Sequence, residues 1–198
     1  MPVNAEDVQS VLKDLKLGTK ATNERSAYVA MVCCGLSESD NWTDAVSKSL
    51  GINEMIKAIN RGFPKSNKGN GYKPNTRETI RDDTVKAFRA HGLLELENPN
   101  IPANSKNVRY RSTDVLISLL QSIGTANYDI EIARANAVSA RMISIFDNKR
   151  QLNQTPVVLP NKVVSFISNR GQGPLAKAYS TKCVAASSLS CSSLSSRI

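Results

Sequence analysis

The sequence predicts a mainly α-helical fold: a winged helix-turn-helix domain with a small β-wing and C-terminal helices, followed by a low-complexity tail. Three observations predict this fold. Apolar residues recur at helical spacing in several segments between residues 5 and 148. A helix with a basic first turn is predicted over residues 76–91, and two short segments of alternating apolar and polar residues follow it. Because 40% of the 198 residues are hydrophobic, the chain has enough apolar side chains for the core of one domain.

Helical spacing of apolar residues predicts four helices before the basic one. The first covers residues 5–16, and the second opens at Asn23 and ends at Gly35. A short helix follows Asp40, and a fourth covers residues 52–61. We expect these helices to supply most of the core.

The helix over residues 76–91 is expected to place one apolar face on the core. The residues of that face are Ile80, Thr84, Ala87, Phe88 and His91. Asn75 or Thr76 is expected to accept the unpaired N–H groups of its first turn, and Gly92 is expected to end it. The strands of the wing are predicted at residues 93–97 and 108–111, on either side of a turn at residues 98–100.

The C-terminal third begins with two more predicted helices and then loses regular patterning. The helices are expected over residues 113–123 and 127–148, so that the domain spans residues 1–150. Residues 151–167 are predicted to be a linker, with two prolines before residue 161 and a possible strand at 163–167. Residues 168–198 are expected to be a disordered tail, because residues 180–198 hold eight serines and no acidic residue.

The positive charge of the chain is concentrated in two segments. The formal net charge is +9, and residues 61–112 hold eleven Lys or Arg against five Asp or Glu. Residues 151–198 hold five basic residues and no acid, whereas residues 1–60 are net −2. Such a surplus favours a polyanionic partner, with nucleic acid ahead of an anionic membrane. Because we find neither an apolar signal region nor a membrane-length apolar run, we expect a cytoplasmic, reducing location and no membrane partner.

The sequence offers no candidate catalytic residue or metal ligand. The cysteines are Cys33, Cys34, Cys183 and Cys191, and their spacing fits neither a zinc site nor a disulfide framework. The single histidine, His91, falls on the predicted apolar face, where a core role is more common than a catalytic one. Metal-dependent phosphodiester cleavage needs carboxylates, and the chain has none after residue 150. We therefore predict no cofactor for this chain.

The basic segment supplies the candidate sites for binding double-stranded DNA. The first turns of the helix over residues 76–91 carry side chains that suit base edges and phosphates, namely Asn75, Thr76, Arg77, Thr79 and Arg81. Flanking residues are expected to contact the DNA backbone: Lys65, Lys68, Lys73, Lys106 and Arg109. An ordinary amphipathic helix with solvated charges explains the pattern equally well.

Three motifs resemble a known family. They are residues 23–27 (Asn-Glu-Arg-Ser-Ala), residues 74–81 (Pro-Asn-Thr-Arg-Glu-Thr-Ile-Arg) and Asn104-Ser105. Over about residues 8–148 the chain is similar to the N-terminal domain of BsuBI/PstI-type restriction endonucleases. The resemblance implies a helix-turn-helix domain, a type II restriction system, the family target CTGCAG, and Mg²⁺ for cleavage.

The resemblance also implies a C-terminal nuclease half that carries the metal-binding carboxylates. The end of this chain does not resemble that half, so we expect a truncated protein that binds DNA without cleaving it. A free-standing winged-helix transcriptional regulator is one alternative. A helical dimerisation module that uses residues 127–148, without DNA contact, is another, and a homodimer is compatible with each of these hypotheses.

Overall fold

The structure is a computed structural model that describes residues 2–101, 105, 107–152, 154–158 and 164–168. Lys106 and the predicted tail beyond residue 168 lie outside the described residues. The chain divides into two compact units, residues 1–144 and 145–198. No described helix is both long enough and apolar enough to cross a membrane.

The first unit consists mainly of helices. The helices before the wing are α1 (Ala5–Asp14), α2 (Glu24–Cys33), α3 (Ile52–Gly62) and a composite helix α4 over residues 74–90. Short 3-10 turns lie at Thr19–Ala21, Trp42–Asp44 and Ser66–Gly69. After the wing come α5 (Asp114–Gln121) and α6 (Tyr128–Leu152). The helical prediction is confirmed, although the segment after Asp40 is a 3-10 turn and not an α-helix.

The wing is a two-stranded antiparallel sheet. Strand β1 (Leu94–Leu96) pairs with β2 (Tyr110–Ser112), with Glu95 opposite Arg111. A short bridge adds Leu50, whose N–H donates to the Tyr110 carbonyl at 2.8 Å and whose carbonyl accepts from the Tyr110 N–H at 2.9 Å. The start of α3 is thereby attached to the sheet. The order of α3, loop, α4 and sheet is that of a winged helix-turn-helix domain.

Helix α2 lies at the centre of the first unit. Asn23 caps it, because its Oδ1 accepts the N–H of Ser26 at 3.0 Å. Every residue from Ser26 to Cys33 is buried, so α2 has no solvent-facing side after its first turn. Cys33 and Cys34 are free and buried, and burial raises the pKa of the Cys34 thiol to about 12. These two thiols therefore act as packing groups.

Helix α4 changes its helical type along its length. It begins with a 3-10 turn at Pro74–Thr76, continues as α-helix over Arg77–Thr79, becomes a π-helix over Ile80–Val85 and returns to α-helix over Lys86–Ala90. A π segment adds a residue per turn, so that two consecutive residues, Thr84 and Val85, are both buried.

Two sequence predictions about α4 are corrected by this geometry. The side chains of Asn75 and Thr76 do not cap it, because Pro74 begins the helix two residues earlier than expected. Val85 joins the buried face, whereas Ala87 and His91 are half-buried. His91 nevertheless has a hydrogen-bond partner, because its Nδ1 lies 2.6 Å from the Ser139 hydroxyl. Burial lowers the pKa of His91.

The second unit contains the end of α6 and a two-stranded antiparallel sheet. Strand β3 (Gln154–Val158) pairs with β4 (Val164–Ser168). Residues 151–167, predicted as a linker with a possible strand at 163–167, contain the end of α6, all of β3 and most of β4. The two prolines of this segment were the reason for predicting a linker. However, each strand of a two-stranded sheet has one unpaired edge, and a residue without an N–H, such as Pro156, is tolerated there.

Gly92, just after α4, has a left-handed backbone and lies close to α6. Its φ is +74°, and a Cβ there would lie 3.1 Å from Met142 Cγ and 3.2 Å from Val138 Cγ1. Gly69 also has a positive φ, of +82°, but a Cβ on it would meet nothing within 4 Å. We expect Gly69→Ala to lower the free energy of unfolding by about 1–2 kcal/mol, the cost of a left-handed alanine.

Gly92→Ala is expected to cost at least ~1 kcal/mol more than Gly69→Ala, because α6 must also move. Gly18→Ala is the control, since a Cβ at Gly18 meets nothing within 4 Å and its φ is −61°. Urea unfolding of the three variants measures the differences. Equal losses at Gly92 and Gly69 would contradict this packing.

A buried pair of hydroxyls fixes α4 against α2. The Oγ of Ser26 lies 2.9 Å from the Oγ1 of Thr84, and both residues are fully buried. We expect Ser26→Ala to lower the free energy of unfolding by about 1–3 kcal/mol, because the Thr84 hydroxyl loses its partner in a buried place. The double variant Ser26→Ala/Thr84→Val is expected to cost clearly less than the sum of the two single variants.

Ser10→Ala, on the exposed face of α1, is the control and should change the stability by less than ~0.5 kcal/mol. A double-mutant cycle in urea measures the coupling of Ser26 and Thr84. Strict additivity of the two substitutions would show that the hydroxyls do not stabilise the contact between α2 and α4.

Candidate nucleic-acid interface

A groove of about 480 Å³ lies between α4 and the wing. Arg77 and Arg81 of α4 form one wall, and Ser105, Asn107 and Arg109 before β2 form the other. The start of α3 closes the groove with residues 51–54. Sequence reasoning grouped Arg77, Arg81 and Arg109 as candidates, and the structure brings these three together.

The three arginines of the groove differ in their surroundings. Arg81 is paired with its neighbour Asp82, with Nη2 3.0 Å from Oδ2, and both side chains are largely exposed. Arg77 takes part in none of the ion pairs found in the described part of the chain. Its guanidinium is thus the one in the groove with no acidic partner within the described residues.

Arg109 is held by several protein groups. Its guanidinium donates to the carbonyl of Ser49 at 2.7 Å and to Glu54 Oε1 at 3.0 Å, and its Nε lies 3.5 Å from Glu97 Oε2. The Glu54 carboxylate also accepts the N–H of Gly51 at 2.8 Å. This N–H bond and Arg109 lower the pKa of Glu54. Arg109 therefore connects the wing to the start of α3, and its contact with DNA stays a prediction.

The other sequence candidates among the described residues do not line this groove. Asn75, Thr76 and Thr79 line a shallower cleft on the opposite side of α4. Lys68 and Lys73 are exposed in the loop before α4, and Lys68 has a left-handed backbone with φ of +57°. Lys65 lies further away, beside Glu38 at 3.6 Å. The structure thus divides the predicted site between the two sides of α4 and the loop that precedes it.

Two arginines near these sites were missed by sequence reasoning. Arg111 pairs across the wing with Glu95, with Nε 2.6 Å from Oε1. Arg25, from the start of α2, lines the shallow cleft beside Asn75 and Thr79. The position of Arg25 in the first of the three family motifs was the available signal, but its distance along the chain from the basic segment concealed it.

The described residues contain no group of three or more His, Cys, Asp or Glu side chains placed to hold a metal ion. Two carboxylates of α4, Asp82 and Asp83, are instead paired with Arg81 and Arg25. The chemistry available at the interface is therefore hydrogen bonding and charge, which suits binding.

The chain is similar in sequence to two type II restriction enzymes. A type II restriction enzyme, BsuBI from Bacillus subtilis, is 27% identical over 180 residues, which cover 90% of this chain and 55% of that protein. The type II restriction enzyme AplI from Arthrospira platensis is 27% identical over 174 residues, covering 86% of this chain and 52% of that protein. The chain therefore spans about half the length of the curated relatives it matches.

Among solved structures, the SdaI restriction endonuclease has the same fold. The TM-score is 0.63 at 23% identity, over 89% of this chain and 54% of that one. Residues 3–144 match the sequence profile of the BsuBI/PstI restriction endonuclease HTH domain, which accounts for most of the chain and for the whole of its winged unit. The chain thus belongs to the BsuBI/PstI restriction endonuclease HTH-domain family.

Proposed function

We propose that this chain is the DNA-binding part of a type II restriction endonuclease and that α4 enters the major groove of its target. The observation that carries the proposal is the groove in which Arg77 and Arg81 of α4 face the wing. The first turns of a recognition helix contact base edges, and a wing contacts the adjacent DNA backbone. Membership of the family and the restriction-enzyme relatives support the proposal.

Arg77 is the residue that we expect to contact a base. It lies in the second turn of α4, is half-exposed, and forms none of the ion pairs found in the described part of the chain. An arginine in this state presents two parallel N–H donors to the O6 and N7 atoms of guanine. Arg81 lies one turn further on, and its ion pair with Asp82 has to break before it contacts DNA.

The target that we propose is the family sequence CTGCAG, which the resemblance implies. It contains guanine on both strands, as bidentate recognition by arginine requires. It is also palindromic, and a two-fold pair of chains matches a palindrome, so that a homodimer remains a prediction.

We propose that the chain binds DNA without cleaving it. The resemblance implies Mg²⁺ as the metal of the full-length family. The described residues offer no cluster of potential ligands for it. The proposed activity of this chain is therefore binding alone.

The first prediction compares Arg77→Ala with Lys73→Ala. If Arg77 contacts a base, its loss should cost about 1–3 kcal/mol on a CTGCAG duplex and much less on a scrambled duplex. Lys73 is exposed in the loop before α4 and is expected to contact phosphate. Lys73→Ala should therefore weaken both duplexes alike and reduce the slope of log K against log salt by about one unit.

Fluorescence anisotropy with both duplexes at several salt concentrations measures these effects. Lys13→Ala, at the exposed end of α1, is the matched charge control and should leave the slope unchanged. If neither Arg77→Ala nor Lys73→Ala alters the affinity for either duplex, this face of the domain does not bind DNA.

The second prediction concerns cleavage. A plasmid that contains CTGCAG is expected to stay supercoiled when it is incubated with the purified chain and either Mg²⁺ or Mn²⁺, because the carboxylate ligands for such a metal are absent from the described residues. Agarose gel electrophoresis measures the outcome. The appearance of linear fragments that are lost on addition of a chelator would show that the chain is a nuclease.

A further inference from the structure

A second cleft, of about 320 Å³, lies on the side of α4 that faces α2. Three elements form it: the start of α2, the loop before α4 and the first turns of α4. All of its lining side chains carry a hydrogen-bonding group, and they are Arg25, Asn67, Tyr72, Asn75, Thr76 and Thr79. No acidic side chain lines this cleft. Its polar groups therefore suit an anion.

Arg25 is the only charged side chain in the lining of this cleft. Its side chain is 20% exposed, and its Nε is enclosed without a hydrogen-bond partner among the described residues. The acid paired with it is Asp83, whose Oδ2 lies 3.9 Å from Nη2, beyond hydrogen-bonding distance. Buried polar groups are rarely left unpaired in folded proteins, so the incomplete hydrogen bonding of this guanidinium requires an explanation.

The other walls of the cleft are held in place by the protein. The amide of Asn60 binds both backbone groups of Tyr72, donating to its carbonyl at 2.9 Å and accepting its N–H at 2.7 Å. Asn67 has a left-handed backbone and donates to the carbonyl of Gly71 at 2.7 Å. Burial and the nearby Glu24 carboxylate raise the pKa of Tyr72 to about 12, against a smaller lowering by Arg25. Its phenol is thus protonated at neutral pH and can donate to an anion.

Duplex geometry supplies the source of the anion. A helix with its side chains is about 10–12 Å across, and the major groove is about 12 Å wide, with a phosphate strand on each side. A helix in that groove therefore has a strand along both flanks. One flank of α4 carries the groove with Arg77 and Arg109, and the opposite flank carries the cleft with Arg25.

We infer that Arg25 and its cleft bind a DNA phosphate of the strand opposite the wing, so that α4 is held in the major groove from both sides. The inference rests on the proposed function, because it requires α4 to lie in that groove. It assigns a role to Arg25, the basic residue of the first family motif, whose neighbours Asn23 and Ser26 cap α2 and contact α4. Arg25 would act on every sequence alike, since a phosphate carries no base identity.

Binding of the full-length chain to a CTGCAG duplex and to a scrambled duplex at several salt concentrations tests the inference. Arg25→Ala should weaken both duplexes on the order of tenfold and reduce the salt slope by about one unit. Arg25→Lys should restore the slope, because it keeps the charge, and only part of the affinity, because it lacks the planar fork of donors.

Asp83→Asn is the decisive companion variant. If Arg25 binds phosphate, Asp83 competes for the same guanidinium, and its neutralisation should tighten binding to both duplexes. If Arg25 serves only to pair with Asp83 inside the protein, both Arg25→Ala and Asp83→Asn should lower the melting temperature and leave the affinity and slope of the folded protein unchanged. That result would overturn the inference.

The outcomes also separate this inference from the proposed function. If the wild-type chain binds with a steep salt dependence and Arg77→Ala abolishes its site preference, while the Arg25 and Asp83 variants bind as the wild type does, only the role of Arg25 fails. If the wild-type chain shows no salt-dependent binding, the proposed function fails as well. Should Arg25→Ala not fold, Asp83→Asn decides alone, and unchanged binding by it would overturn the inference.

Discussion

The enclosure of α2 is the constraint on which the first unit depends. A ten-residue helix whose last eight residues are all buried has to be surrounded by other elements, because no part of that surface is suited to water. Helices α1, α3 and α4 and strand β2 all pack against it. The elements that carry the candidate interface are therefore positioned by one common neighbour. The polar groups on α2 point to specific partners: the Ser26 hydroxyl meets α4, and the carbonyl of Cys33 accepts a hydrogen bond from Ser112 in the wing at 3.1 Å.

Most of the fold could be predicted from the sequence because its helices and wing have strong local signals. Helix α3 presents Ile52, Met55, Ile56 and Ile59 on one face, and the structure buries all four. The strands of the wing alternate as predicted, with Glu95 and Arg111 exposed opposite each other. The π segment of α4 had no such signal. A search for apolar residues at a period of 3.6 assumes an ordinary α-helix throughout. It therefore could not detect the π segment, in which Thr84 and Val85 are both buried.

The sequence predicted which residues belong to the candidate site better than it predicted how they are arranged. Arg77 and Arg81 were found because they lie in one predicted helix, and spacing along a helix determines which residues share a face. Sequence spacing could not show that Arg109 is surrounded by Ser49, Glu54 and Glu97, since these contacts join distant parts of the chain. Nor could it show that Arg25 lies beside Thr79, 54 positions later along the chain. Charge alone suggested one basic surface, whereas packing produced two separate ones.

The π segment also has a consequence for the direction of the basic residues along α4. Each residue advances an α-helix by about 100°, so one additional residue within Ile80–Val85 turns the later side chains by that angle relative to the earlier ones. In a plain α-helix, Arg89 would lie about 120° around the axis from Arg77, which is twelve residues earlier, and the additional residue reduces this angle to about 20°. A plain α-helix of this sequence would therefore point Arg89 away from Arg77, whereas the π segment returns it to nearly the same side of the helix. The length of this short segment thus sets the angle between the two basic ends of the helix, without any change in the basic residues themselves.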